Sequence, residues 1–214
     1  MIADMAKPFD PYDGIIRLDA HILGIEPAIT RTLELPRRLN FAQLHEVLQA
    51  AFGWTDSHLH QFILGGLVVG APEAIEDSFE GPRVLEATEL SLKDLVFPYL
   101  ADPALEMTYQ YDFGDDWHHS LLLRRAQGEE GVKYPRCIAG ARACPPEDVG
   151  GYGGYADFLE AWLDPDHEDH QANRRWAGRK FDPEYFDLEA TNKAIARAMR
   201  ACKGDYRFRH ARPS

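Results

Sequence analysis

Apolar and polar positions alternate through the first half of the chain, and a helical period takes over in the second. Residues 14–23 and 29–35 alternate and are rich in β-branched residues. Gly24-Ile25-Glu26-Pro27 between them reads as the turn of a hairpin. Asn40 is placed to cap a helix, and Gln43, three residues on, completes a capping box. Phe41, Leu44, Val47, Leu48 and Ala51 then recur at helical spacing until Gly53 ends the run. Residues 58–69 read as a strand broken near Gly65-Gly66, 70–81 as a loop, 82–87 as a short strand and 91–95 as a helical turn.

The strongest hairpin signal joins residues 105–113 to 116–125 through Gly114-Asp115. A two-residue turn there pairs Phe113 with Asp116, Asp112 with Trp117 and Gln110 with His119. Asp112, Trp117 and His119 then share one face, with Asp112 diagonal to His119. Beyond residue 154 the pattern is helical. Tyr155, Phe158, Leu159, Trp162 and Leu163 form one stripe, which Asp164-Pro165 stops while opening the next helix. Asp182-Pro183 marks a short turn. Leu188, Thr191, Ile195, Ala198, Met199 and Cys202 line a last helix that Gly204 closes. Strands first and helices last predict an α+β fold: a mixed, mainly antiparallel sheet covered by helices, with a helical C-terminal part. One domain is expected over residues 14–204: strand-rich over 14–125, a Pro/Gly loop over 134–154 and helical over 155–204. A tail over 1–13 and a basic tail over 205–214 flank it.

Composition narrows the function. The 214 residues are 45% hydrophobic, enough for a substantial core, and hold no apolar run long enough to span a membrane. Residues 1–13 lack the basic-then-apolar order of a secretory signal, and three cysteines are few and odd in number. Both point to a cytoplasmic protein. The net charge of −12 is uneven. From residue 171 onward 11 Lys/Arg face 5 Asp/Glu, so residues 1–170 carry −18. An acidic body opposes binding to nucleic acid. The basic C-terminus (Arg197, Arg200, Lys203, Arg207, Arg209, Arg212) retains the capacity to meet an anion or an acidic partner, although a solvated helix face explains it as well.

Cys144-Pro145-Pro146-Glu147-Asp148-Val149-Gly150-Gly151-Tyr152-Gly153-Gly154 is the most unusual segment. Its prolines stiffen the chain ahead of two carboxylates, and its glycines permit close backbone approach. Either it holds a site or it is a rigid structural crossing. Glu147, Asp148, Asp112 and His119 are the catalytic candidates, and an Asp beside a His suits general-base and metal chemistry alike. Asp115, Trp117, Gly150 and Gly151 are candidate ligand contacts. Glu147, with the longer side chain, is expected to face a pocket, leaving Asp148 to bond loop amides or cap the following helix. His58 and His60, two apart on the expected strand, and His167 and His170, three apart on a helix, offer metal-ligand spacing. None of them completes a metal motif, so no cofactor is assigned, a divalent metal being the one alternative. The aromatic residues Trp162, Trp176, Phe181, Tyr185 and Phe186 read as core rather than a ligand cage. Phosphate-loop, dinucleotide, kinase and Gly-x-Ser-x-Gly patterns are absent, as is a helix-turn-helix with a basic recognition face.

Three blocks carry a family resemblance: Tyr111-Asp112-Phe113-Gly114-Asp115-Asp116-Trp117-His118-His119, Pro145-Pro146-Glu147-Asp148-Val149-Gly150-Gly151, and Phe181-Asp182-Pro183-Glu184-Tyr185-Phe186. With Leu44-His45, Phe52-Gly53-Trp54 and His58-Leu59-His60-Gln61-Phe62 before them, the chain resembles the plasmid pRiA4b ORF-3-like family over residues 15–195. The resemblance implies a soluble α+β domain found in bacterial plasmids, chromosomes and insertion elements, with no agreed activity. Some relatives are labelled resolvase-like passenger proteins. The leading expectation is a mobile-element-associated binding or accessory module that contacts a protein or a small ligand. The alternatives are a hydrolase, with or without a metal, using Glu147 and Asp148 with Asp112 and His119, and a nucleic-acid accessory factor using the basic C-terminal helix.

Overall fold

A single sheet of eight strands organises the described part of the chain. The computed structural model describes residues 14–70, 84–95, 97, 104–178 and 181–206. The strands are β1 (Ile15–Ile22), β2 (Thr30–Pro36), β3 (His60–Leu64), β4 (Leu67–Gly70), β5 (Val84–Glu86), β6 (Ala104–Tyr111), β7 (Trp117–Ala126) and β8 (Arg136–Ala141). Their order is β5-β4-β3-β6-β7-β1-β2-β8. Every neighbouring pair is antiparallel except β4 with β5. The α+β expectation therefore holds.

One face of the sheet is apolar and covered. Ile16, Leu18, Ala20 and Ile22 of β1 bury there with Leu33 and Leu35 of β2 and Leu121 and Leu123 of β7. The other face carries Asp19, Arg124, Glu34 and Arg136, tied across strands by ion pairs. Such a division is usual for an antiparallel sheet with one solvated side. The first helix, α1 (Phe41–Phe52), is buried almost all round because it lies between the sheet and α4 (Leu188–Cys202). Its predicted capping box is present: the Asn40 side chain accepts from the Gln43 amide at 2.8 Å, and the Gln43 side chain accepts from the Asn40 amide at 3.2 Å. Gly53 ends it in the left-handed conformation. Two further helices, α2 (Gly151–Leu163) and α3 (His170–Trp176), complete the fold, and Tyr152 and Tyr155 of α2 pack their rings on Trp117.

Several sequence expectations need correction. The β6–β7 pair is antiparallel as expected, but its register is one step off: Tyr111 faces Trp117, Tyr109 faces His119 and Gln110 faces His118. The turn is five residues long, because Asp112 and Asp116 both take positive φ and the Asp112 carboxylate accepts from the amides of Gly114 (2.9 Å) and Asp115 (3.3 Å). A one-residue slip exchanges faces, so Tyr109, Tyr111, Trp117 and His119 all point into the core. His58 precedes its strand rather than opening it, which separates it from His60. The segment expected to be loop over 134–154 contains edge strand β8, and α2 starts inside the glycine run, at Gly151. The helix after Asp164-Pro165 begins only at His170. Of the five C-terminal aromatics, Trp162 is buried and Phe181 and Phe186 pack on the core, whereas Trp176 and Tyr185 are exposed. The loop expected over 70–81 and the basic positions Arg207, Arg209 and Arg212 fall almost wholly outside the described residues.

Candidate metal centre

Three loops meet at one end of the sheet: residues 54–59 ahead of β3, the β6–β7 turn, and residues 143–150 ahead of α2. Backbone contacts lock them together. The Asp112 amide donates to the Leu59 carbonyl at 2.9 Å, the Trp54 indole to the Pro145 carbonyl at 3.0 Å, and the Gly150 amide to the Asp115 carboxylate at 3.2 Å. The glycines are what allow this approach. Gly151 has φ +67°, and a Cβ there would lie 2.6 Å from the Asp115 carbonyl oxygen; a Cβ on Gly154 would lie 2.1 Å from that of Val149.

At the junction, His58 stands between two aspartates. Its Nε2 lies 2.9 Å from Asp148 Oδ1 and 3.5 Å from Asp112 Oδ2. One ligand atom from each of the three lies within 4.8 Å of the others, the one such group of metal-ligating side chains among the described residues. Asp112 is nearly buried; its Oδ1 is occupied by turn amides, which aims Oδ2 at His58. Asp148 also has positive φ, which aspartate tolerates better than most residues, and its side chain is 69% exposed. The cluster therefore has a fixed inner carboxylate and an open outer side.

Glu147 faces a different way from its neighbour. It accepts from the Thr55 amide at 2.7 Å, the Thr55 hydroxyl at 3.2 Å and the Tyr111 hydroxyl at 3.1 Å. Burial and the adjacent Glu147 push the Tyr111 pKa up, so the phenol stays protonated and donates. The expected division of labour is met only in part: Glu147 does line a cavity but also takes the loop amide, and Asp148 joins the polar cluster.

The structure scatters the remaining candidates. His119 is fully buried between Phe52, Trp54 and Tyr109, with Nδ1 on the Tyr109 carbonyl at 3.2 Å; burial pushes its pKa down to about 3. Trp117 is core. Asp115, Gly150 and Gly151 join the two loops to each other rather than line a cleft. His60 turns inward and stacks on His45 at 3.6 Å, within a buried network where His45 meets Asp56 at 2.7 Å and the Tyr109 hydroxyl at 2.9 Å. His170 is buried with Nδ1 on the Ala161 carbonyl, and His167 Nδ1 accepts from the Asp169 amide. Sequence reasoning missed Thr55 and Arg31. Arg31 had a visible signal, since its strand parity places it with the inward-facing Leu33 and Leu35.

A family model described as plasmid pRiA4b ORF-3-like protein matches residues 14–190. The chain is 37% identical over 183 residues to the uncharacterized protein y4hQ of Sinorhizobium fredii (strain NBRC 101917 / NGR234), covering 85% of this chain and 91% of that one. Among solved structures it is similar to a protein of unknown function, MM3350 from Methanosarcina mazei Go1. The TM-score is 0.72 at 36% identity, covering 83% of this chain and 96% of that one. Among the described residues no helix is long and apolar enough to cross a membrane.

Proposed function

The chain belongs to the plasmid pRiA4b ORF-3-like family, and from that premise we propose that it is an accessory binding module built around a divalent-cation site at His58, Asp112 and Asp148. The observation that supports this reading is the meeting of those three side chains from three loops that are hydrogen-bonded to one another. One imidazole nitrogen and two carboxylate oxygens suit a borderline ion such as Zn²⁺ or Mn²⁺. Three protein ligands leave a position for an oxygen or nitrogen of a second molecule. The free thiols of Cys137, Cys144 and Cys202 fit a reducing, cytoplasmic setting.

A second reading, metal-assisted hydrolysis, is supported by Glu147 lying one residue from Asp148 with a protonated phenol against it. His119 has no part in it, being sealed in the core. Calorimetric titration of untagged, metal-stripped protein with Zn²⁺ and Mn²⁺ tests the cation site; one ion per chain is expected. Assay of the loaded protein against simple phosphate and carboxylate esters separates binding module from hydrolase: turnover lost in Asp148→Asn selects the enzyme, and no turnover selects the module.

A further inference from the structure

A cavity of about 450 Å³ opens between α1, α4 and residues 143–147. Aromatic rings line part of it, those of Phe52, Trp54, Phe181, Phe186 and the exposed Tyr185, and alanines and prolines line much of the rest. Arg31 lines it as well and is 3% exposed. The guanidinium is sandwiched between the rings of Phe52 at 5.2 Å and Phe186 at 4.3 Å. It donates to four carbonyls: Ala51 (2.7 Å), Thr30 (2.6 Å), Ala141 (2.9 Å) and Arg142 (3.0 Å). A guanidinium has five N–H groups, so one remains.

Those carbonyls satisfy hydrogen bonds but supply no counter-charge. Among the described residues no carboxylate pairs with Arg31; the acidic groups that act on it are the Cys144 and Cys137 thiols, and burial lowers its pKa. Those thiols are themselves pushed towards the neutral form by burial. The nearby Arg142, by contrast, is matched by Glu184 at 2.7 Å. A buried cation without a counter-ion is costly, and an anion brought beside it recovers that cost.

We infer that this cavity binds a small organic monocarboxylate with an apolar, preferably aromatic, body. The carboxylate end goes to the remaining Arg31 N–H at the floor, and the body lies along Phe52, Trp54 and Phe181. The size and a largely apolar lining with a few placed polar groups, the buried guanidinium among them, are those of small-molecule sites. Glu147 and Asp187 also line the cavity. Glu147 is held by Thr55 and Tyr111, and Asp187 by the Ala190 amide and the Tyr185 hydroxyl. Their charges repel a dianion more strongly than a monoanion, which favours a monocarboxylate over a phosphate ester. The inference is independent of the cation site, since none of His58, Asp112 and Asp148 lines this cavity.

Calorimetric titration of the full chain with 3-phenylpropionate and with its neutral amide tests it. Saturable binding of the acid is expected, with the amide weaker by about tenfold or more. Ala190, exposed at the mouth, gives a variant that leaves the core untouched: Ala190→Trp should abolish binding with the melting temperature unchanged. Arg31→Gln should lose the preference for acid over amide. Equal affinity for acid and amide, no saturable binding of the acid at millimolar concentration, or undiminished binding in Ala190→Trp overturns the inference.

Discussion

His119 shows how one buried residue couples the core to pH. Its imidazole has no exposed surface, and burial holds its pKa near 3 against an ordinary value of 6.5. Between those values the unfolded chain binds a proton that the folded chain does not. The stability this residue contributes is therefore complete above pH 6.5 and is lost as the pH falls from 6.5 towards 3, by at most about 1.4 kcal/mol per unit. Chemical denaturation between pH 7 and 5 checks this, with pH values chosen to stay above carboxylate titration: His119→Gln should show a shallower loss than the parent. Gly154 is the other single position with a sharp consequence. An added methyl would meet the Val149 carbonyl, so Gly154→Ala should cost about 1–3 kcal/mol by thermal melting, whereas Gly153→Ala, with open space around it, should cost little.

At the scale of elements, what the sequence made legible depended on how local its cause was. The α1 capping box was readable because Asn40 and Gln43 satisfy each other within one turn. The β6–β7 hairpin was readable as a pair but not in register. Asp112 closes a five-residue turn with its own side chain, and nothing in the Gly114-Asp115 pair announces that. Strand β8 was missed because Ala139, Gly140 and Ala141 carry no β-forming side chains; its partner β2 and Asn192 of α4, which bonds the Cys137 backbone, hold it in place. The candidate centre was named piecemeal. Asp112, Asp148 and His58 were each singled out, but their meeting depends on loops that no periodicity describes. Glu147 lines a cavity, as its length suggests, but it also takes the loop amide that Asp148 was expected to bond, because Asp148 adopts a left-handed backbone and its carboxylate meets His58 instead. Glu147→Gln keeps one acceptor where three donors converge, so it should destabilise the loops by about 1–2 kcal/mol while leaving cation affinity nearly intact. Thermal melting and metal titration of the same preparation check both halves.

At the scale of the molecule, charge and placement separate the remaining readings. The body over residues 1–170 carries −18, and the basic side chains Arg197, Arg200 and Lys203 sit together at the end of α4. Duplex DNA should therefore bind weakly at low salt and not at all at physiological salt; retention in a gel-shift assay at that salt would favour the nucleic-acid reading. The candidate centre lies at the end of the sheet where Asp112 is nearly buried and Asp148 is exposed, so a cation held there would be fixed on its inner side and accessible on its outer side. The most direct measurement is calorimetric titration of metal-stripped, untagged protein with Zn²⁺, run beside Asp112→Asn and His58→Ala. One ion per chain is predicted, with each variant weakening it by about 100-fold and keeping the melting temperature of the metal-free fold within a few degrees. No saturable uptake, or uptake that both variants leave unchanged, would contradict the account.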